Sequence, residues 1–181
     1  MSYHSKFNGE TVEEACGFPL FPITPKAAYN TDTSTHDIVD EAIHLFRANI
    51  LFKNYQVQGS GDRAIIYLTS FIQKCLEQMH RYPAQDQAIR VIGQIMNDAQ
   101  ATDCGNNTFF MNKMGMLSQA KSPAEKTKCA AQMKKMMDEC SKRLLEYLYR
   151  PQEGDMNRKF WMALGKKPFM GQKFTDKQYA N

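Results

Sequence analysis

The stretch 37–57, DIVDEAIHLFRANILFKNYQV, constrains the fold of this chain more than any other. Its first half is amphipathic: Ile38, Val39, Ala42, Ile43 and Phe46 recur at spacings of three and four, the period of one helix face. From Ala42 onward the polar face narrows. Leu45, Phe46, Ala48, Ile50, Leu51 and Phe52 point almost all the way round a helical wheel. A helix that is apolar on every side has to be covered on every side. A membrane span needs ~20 consecutive apolar residues, and Arg47, Asn49 and Lys53 interrupt this run, so the natural covering is other helices of the same domain. Thr33, Ser34, Thr35 and Asp37 are N-cap residue types, and Asp37, Asp40 and Glu41 sit at the positive end of the helix dipole. The expectation is a central core helix with Ile38, Val39, Ala42, Ile43, Phe46 and Ile50 buried.

Around this element the rest of the chain reads as all-α, a single domain of about five helices. Residues 1–34 form an extended N-terminal arm, 35–165 the helical domain and 166–181 a basic, aromatic tail. In the arm, Phe18-Pro19-Leu20-Phe21-Pro22-Ile23-Thr24-Pro25 mixes proline with large apolar side chains. Proline opposes helix here, yet leaving such side chains in water costs ~1.5–3 kcal/mol each. The arm is therefore expected to lie across the helical core or across a partner. After the loop Gln58-Gly59-Ser60-Gly61, Asp62 is the expected cap of a second helix. Its stripe is Ile65, Leu68, Ile72, Cys75, Leu76 and Met79, with Lys74, Glu77, Gln78 and Arg81 facing water. Pro83 fits the first turn of a third helix whose apolar face is Ala88, Ile89, Ile92, Ile95 and Met96. Residues 98–121 show no clean period, and Gly105-Asn106-Asn107 marks a turn. Phe109, Phe110, Met111, Met114, Met116 and Leu117 either pack back onto the core or form a partner surface. Ser122-Pro123-Ala124-Glu125 is a capping box with proline at the first helical position. It opens a long stripe of Cys129, Met133, Met136, Met137, Cys140, Leu144, Tyr147 and Leu148, stopped by Pro151. Asp155 is the expected cap of a short last helix carrying Phe160, Trp161 and Leu164.

Charge is unevenly spread. Residues 150–181 hold seven Lys and Arg against three Asp and Glu, while the remainder is neutral. A neutral body with a basic end suits an acidic partner surface or phosphate, or is simply a solvated end. Lys166 and Lys167 would steer a partner, while Phe160, Trp161, Phe169 and Met170 would anchor it. Trp161 equally suits closure of the domain's own core. A nucleic-acid or anionic-lipid module using this tail is the rival reading. The basic residues are few, terminal and interleaved with acids, where nucleic-acid modules carry a larger patch.

Catalytic chemistry has no foothold in the spacing of residues. His4, His36, His44 and His80 are scattered, and none pairs with Cys or carboxylate at a zinc-like spacing. Gly59-Ser60-Gly61 lacks the rest of a phosphate-binding loop. The five cysteines, Cys16, Cys75, Cys104, Cys129 and Cys140, form no CxxC and suit free thiols in a reducing cytosol. No secretory signal and no membrane span is expected. The expectation is a non-enzymatic protein without metal or cofactor.

Several pieces resemble one family. Asp37-Ile38-Val39-Asp40-Glu41-Ala42-Ile43, Phe52-Lys53-Asn54-Tyr55, and Asp62-Arg63 followed by Ile66-Tyr67 are similar to subunit 3 of the actin-related protein 2/3 complex. Leu20-Phe21-Pro22-Ile23 sits where that family has an apolar Pro-Ile motif. Phe160-Trp161 through Lys167, Phe169 and Met170 resembles its aromatic pair followed by a basic Phe-Met segment. About half the chain is well covered; residues 98–121 match loosely, and 122–149 mainly in being helical. The resemblance implies one helix surrounded by others and a non-catalytic role in a seven-protein assembly that nucleates branched actin filaments. It further implies packing on actin-related protein 3, contact with the mother filament, and a cytoplasmic location on the actin cytoskeleton. Nucleotide binding would belong to the actin-related subunits.

Overall fold

Asp37 does what the sequence predicts of it. Its carboxylate accepts from the backbone N–H groups of Val39 (3.1 Å) and Asp40 (3.0 Å), and opens helix α1, Ile38–Asn49. The structure, a computed structural model, describes residues 2–26 and 28–171. Further helices are α2 (Ser60–Arg81), α3 (Gln85–Asn97), the single-turn α4 (Phe110–Lys113), α5 (Pro123–Leu148) and α6 (Gly154–Leu164). Short 3-10 turns precede α1 and α4, and a two-residue hairpin, β1 (Glu14–Ala15) and β2 (Phe18–Pro19), lies in the arm. Among the described residues the chain is all-α apart from this hairpin.

Two expectations for the opening stretch need correcting. The helix ends at Asn49 rather than running on to Val57, and Leu51 points into solvent at 62% exposure. Both sides of the point where the helix ends are tied to remote segments. The buried Asn49 amide donates to Tyr3 O (2.8 Å) and accepts from Tyr3 N (2.9 Å), and Phe52 O accepts from Met170 N (3.2 Å). The surrounded helix is α2, not α1. Sixteen of its 22 residues are buried, and it packs against α1, α3, α5, α6 and β2. The sequence hides this because Gln78 reads as water-facing and Asp62 as a cap, and because Thr69, Ser70 and Gln73 are polar, yet all five are buried. Ile38, Val39, Ala42, Ile43, Phe46 and Ile50 are all buried, as expected, while His44 and Arg47 of α1 face water.

The arm lies on the helices of its own chain. Phe18, Phe21 and Ile23 are buried, and Gln132 Nε2 donates to Phe21 O (2.8 Å). At the hairpin turn both Cys16 (φ 54°) and Gly17 (φ 74°) are left-handed, the geometry of a tight primed turn whose first position favours asparagine or glycine. A cysteine there carries a strain of ~1–2 kcal/mol. Only the first half of the capping box of α5 forms, with Ser122 Oγ accepting from Glu125 N (3.1 Å). The Glu125 carboxylate does not return to Ser122; it accepts from Lys121 N (2.5 Å) and from Cys16 N (2.9 Å), tying the arm to the helix start. The residues of the 98–121 segment pack back onto the core, with Phe109 and Met111 buried and Phe110, Met116 and Leu117 half-buried. Pro83 stands outside α3, whose N-cap is Ala84.

Two buried polar clusters hold these layers together. Asp62 lies inside α2 rather than capping it. Its carboxylate accepts from Ser5 N (2.9 Å), Gln58 N (2.9 Å) and Tyr55 OH (3.0 Å) and pairs with His4 Nδ1 at 2.8 Å. The arm approaches here so closely that a Cβ on Gly61 would stand 2.4 Å from Ser5 Oγ. The second cluster surrounds Arg143 of α5, which is fully buried. Its guanidinium donates to Asp37 Oδ1 (2.6 Å) and Oδ2 (2.9 Å), Glu139 Oε2 (3.2 Å) and Thr24 O (2.7 Å). Asp40 Oδ1 is 3.0 Å away, close enough to pair but off hydrogen-bond alignment. Lys26 closes the cluster on the other Asp40 oxygen at 2.5 Å.

These clusters make stability depend on pH. Burial raises the carboxyls of Asp37 and Asp62, but the Arg143 guanidinium around the first and the Ser5 and Gln58 N–H groups around the second outweigh it. Both end up below the usual carboxylate range. A depressed carboxyl stabilises fully above its unfolded value of ~4 and loses that contribution as pH falls through the folded value. Glu41, raised chiefly by burial, works in the opposite sense. The urea midpoint is expected to hold steady down to about pH 5 and to drop below about pH 4. Asp62→Asn is expected to lower the neutral-pH midpoint and to make the acid drop shallower. A wild-type midpoint equal at pH 7 and pH 3 contradicts this account.

Candidate partner interface

The last helix and the residues after it were expected to face a partner, and the structure divides them. Trp161 is buried, stacked on Phe46 (centroids 5.5 Å apart, planes at 11°) and edge-on to Tyr147 (5.7 Å, 72°). Phe169 is also buried, edge-on to Tyr55 at 6.1 Å. These two aromatics therefore serve this chain's own core: the end of α1 and the 50–59 segment leave hollows that only large rings fill. Met170 is half-buried, with a left-handed backbone (φ 52°). Phe160, Lys166 and Lys167 remain on the surface. The remainder of the tail, including Lys173, Phe174 and Lys177, lies outside the described residues.

Phe160 is half-exposed on the outer side of α6, with the Arg47 guanidinium 4.8 Å from its ring centroid. A groove of about 600 Å³ runs between α1 and α6 at this point, lined by Tyr3, His44, Arg47, Leu51, Tyr147 and Phe160. Tyr3 (57%), Leu51 (62%) and Phe160 (49%) are among the most exposed large apolar side chains described, and here they share one concave face. Single exposed apolar residues need no explanation, but a contiguous group rimmed by charge marks an interaction surface. Beyond α6, Lys166 Nζ lies 2.8 Å from His80 Nε2. The Lys167 carbonyl accepts from the Gln73 amide, which fixes the backbone under the pair of cations. Arg150 and Arg158, counted as part of the basic end, are paired with Glu146 and Asp155.

The sequence model of the family described as "P21-Arc: ARP2/3 complex ARPC3 (21 kDa) subunit" matches residues 1–174. The chain belongs to this family. It is similar to proteins named actin-related protein 2/3 complex subunit 3 from several organisms. With that of Arabidopsis thaliana it shares 35% identity over 177 residues, 94% of this chain and 97% of the relative. With that of Schizosaccharomyces pombe it shares 30% over 173 residues, 93% and 97% of the two chains. The Dictyostelium discoideum protein matches more tightly and more locally, at 49% over 85 residues, 42% of this chain and 47% of that one. The whole described fold, arm included, thus falls within the span of this subunit family.

One group escaped the sequence reading. Cys16 of the hairpin turn, Cys104 of the 98–121 segment and Cys129 of α5 bring their sulfurs within 4.8 Å of one another. Positions so far apart have no ligand spacing to recognise; the only sequence-level sign is a cysteine preceding glycine in a tight turn. The thiols are electrostatically unequal. Hydrogen bonding from Cys129 lowers the Cys104 thiol, whereas burial raises that of Cys16. Among the described residues no helix is long and apolar enough to cross a membrane.

Proposed function

We propose that this chain is a non-catalytic structural subunit of an actin-related protein 2/3 complex, acting in the cytoplasm on the actin cytoskeleton. It packs on actin-related protein 3, contacts the mother filament and so contributes to actin filament nucleation and branching. The observation that carries the proposal is the family match over residues 1–174. The geometry supports it in two ways. The all-α core is self-contained and holds its surfaces in fixed relation, which suits an adaptor. The groove with Tyr3, Leu51 and Phe160 offers an apolar docking face, and Lys166 and Lys167 offer cations to an acidic partner. A nucleic-acid or lipid-binding role is poorly served, because Arg150 and Arg158 are already paired with acids.

The double variant Lys166→Glu, Lys167→Glu is expected to weaken partner or filament binding roughly tenfold, mainly through the association rate. Its thermal midpoint should stay that of wild type, since both side chains are exposed. Affinity capture of the tagged chain from its own cells should bring down actin-related subunits. A lone monomer without them, or unchanged branching by the double variant, overturns the assignment.

A further inference from the structure

The cysteine cluster sits where three remote parts of the chain meet: the turn of the arm, the 98–121 segment and the second turn of α5. All three thiols are buried, with Cys16 and Cys129 fully enclosed and Cys104 at 2% exposure. Their backbones are pinned on every side. Cys16 donates its N–H to Glu125 (2.9 Å) and its carbonyl accepts from Ser118 N (2.9 Å). The Cys104 carbonyl accepts from the Asn112 amide (2.8 Å), and Cys129 is held within α5.

We propose that Cys16, Cys104 and Cys129 form a three-thiolate site for a soft divalent cation of the zinc class. Zinc bonds sulfur at about 2.3 Å, which sets tetrahedral thiolates ~3.8 Å apart. The observed sulfurs, each within 4.8 Å of the others, need converge by no more than roughly an ångström for that geometry. Three sulfurs and no nitrogen is a donor set that selects soft ions over magnesium or calcium. Binding replaces three S–H protons with one dication, releasing three protons and leaving a single negative charge. The cluster lies near the positive end of α5, which favours that charge. The Glu125 carboxylate beside Cys16 opposes it, and Lys126, beside Cys104, is ion-paired with Asp103 at 3.1 Å. Lys126 is exposed, so entry of an ion needs only this surface pair to part. The fourth coordination position is left to an oxygen ligand from the rim or from solvent. A shared cation adds a second tie between the arm and α5 beside the Cys16–Glu125 hydrogen bond.

Cobalt(II) is the optical probe, added to the reduced full-length chain without oxygen. The expected result is one equivalent bound, with intense visible bands of tetrahedral cobalt and thiolate-to-cobalt charge transfer, both bleached by added zinc. Cys16→Ser, Cys104→Ser and Cys129→Ser should each weaken cobalt binding by at least ~10-fold, while Cys75→Ala, outside the cluster, should leave the spectrum unchanged. Circular dichroism separates ligand loss from failure to fold, and zinc should raise the thermal midpoint of wild type but not of the three serine variants. Absence of thiolate charge transfer in reduced, folded wild type overturns the proposal. So does a spectrum that survives all three single substitutions, or a zinc-independent midpoint in wild type.

Discussion

Phe46→Ala is expected to cost ~3–5 kcal/mol, the range for truncating a fully buried aromatic. Phe46 has no exposed surface and lies face to face with Trp161. The substitution opens a cavity and also leaves the indole without its stacked partner, so collapse of the site is resisted from both sides. Against a total of ~5–15 kcal/mol for a domain, this is a fifth or more of the stability. The thermal midpoint should fall by roughly 6–20 °C, and incorporation into any assembly should fail through loss of fold, because Trp161 of α6 loses its stacked partner. Phe46→Leu should recover part of the loss. A Phe46→Ala chain that melts with wild type would mean that this face of α1 is not core, and that the packing of α6 described above is wrong.

Arg143→Leu is expected to be comparably damaging for an electrostatic reason. Removing one member of a buried charge cluster costs ~3–5 kcal/mol, because the remaining charges stay buried without compensation. Here Asp37 and Glu139 would lose a shared cation, and the Thr24 carbonyl would lose its donor. Arg143→Lys should also destabilise, since an ammonium cannot grip Asp37 with two parallel bonds. Combining Arg143→Leu with Asp37→Asn should cost less than the sum of the two, as expected for partners in direct contact. Chemical denaturation of the four proteins measures this coupling, and strict additivity contradicts the cluster. Asp37 has two roles, capping α1 and holding Arg143, so its loss should loosen the helix start as well.

What the sequence made legible follows from the kinds of signal it carries. The caps at Asp37 and Ser122, the helical class and the buried faces of α1 and α5 all come from local periodicity and local chemistry. The choice of central helix did not. Around α2 the partners of Asp62 and Gln73 come from the arm and from the segment after α6, so nothing local marked these residues as buried. Asn49 illustrates the opposite error: read as an interruption in a continuing helix, it is the last residue of α1, with its buried side chain bonded to Tyr3. At the candidate interface Lys166 and Lys167 are exposed, Phe169 was expected to anchor a partner and is buried within the chain, and Trp161, for which both roles were open, closes the chain's own core. An aromatic next to basic residues looks the same in sequence whether its pocket is supplied by a partner or by an earlier helix. The convergence of Cys16, Cys104 and Cys129 had no local signature at all.

The placement of the arm has a consequence for how the protein is made. Synthesis proceeds from the N-terminus, so Phe18, Phe21 and Ile23 leave the ribosome long before their docking surface exists. Cys16 waits for Glu125, Phe21 for Gln132 and Thr24 for Arg143, gaps of 109, 111 and 119 residues. Contacts so remote in sequence form slowly, and unpaired apolar segments of this kind are where nascent chains associate wrongly. The prolines at 19, 22 and 25 suit that interval, because they keep the arm from pairing as a strand with another chain while it waits. The same segment that secures the finished fold is thus the one most in need of protection during its assembly.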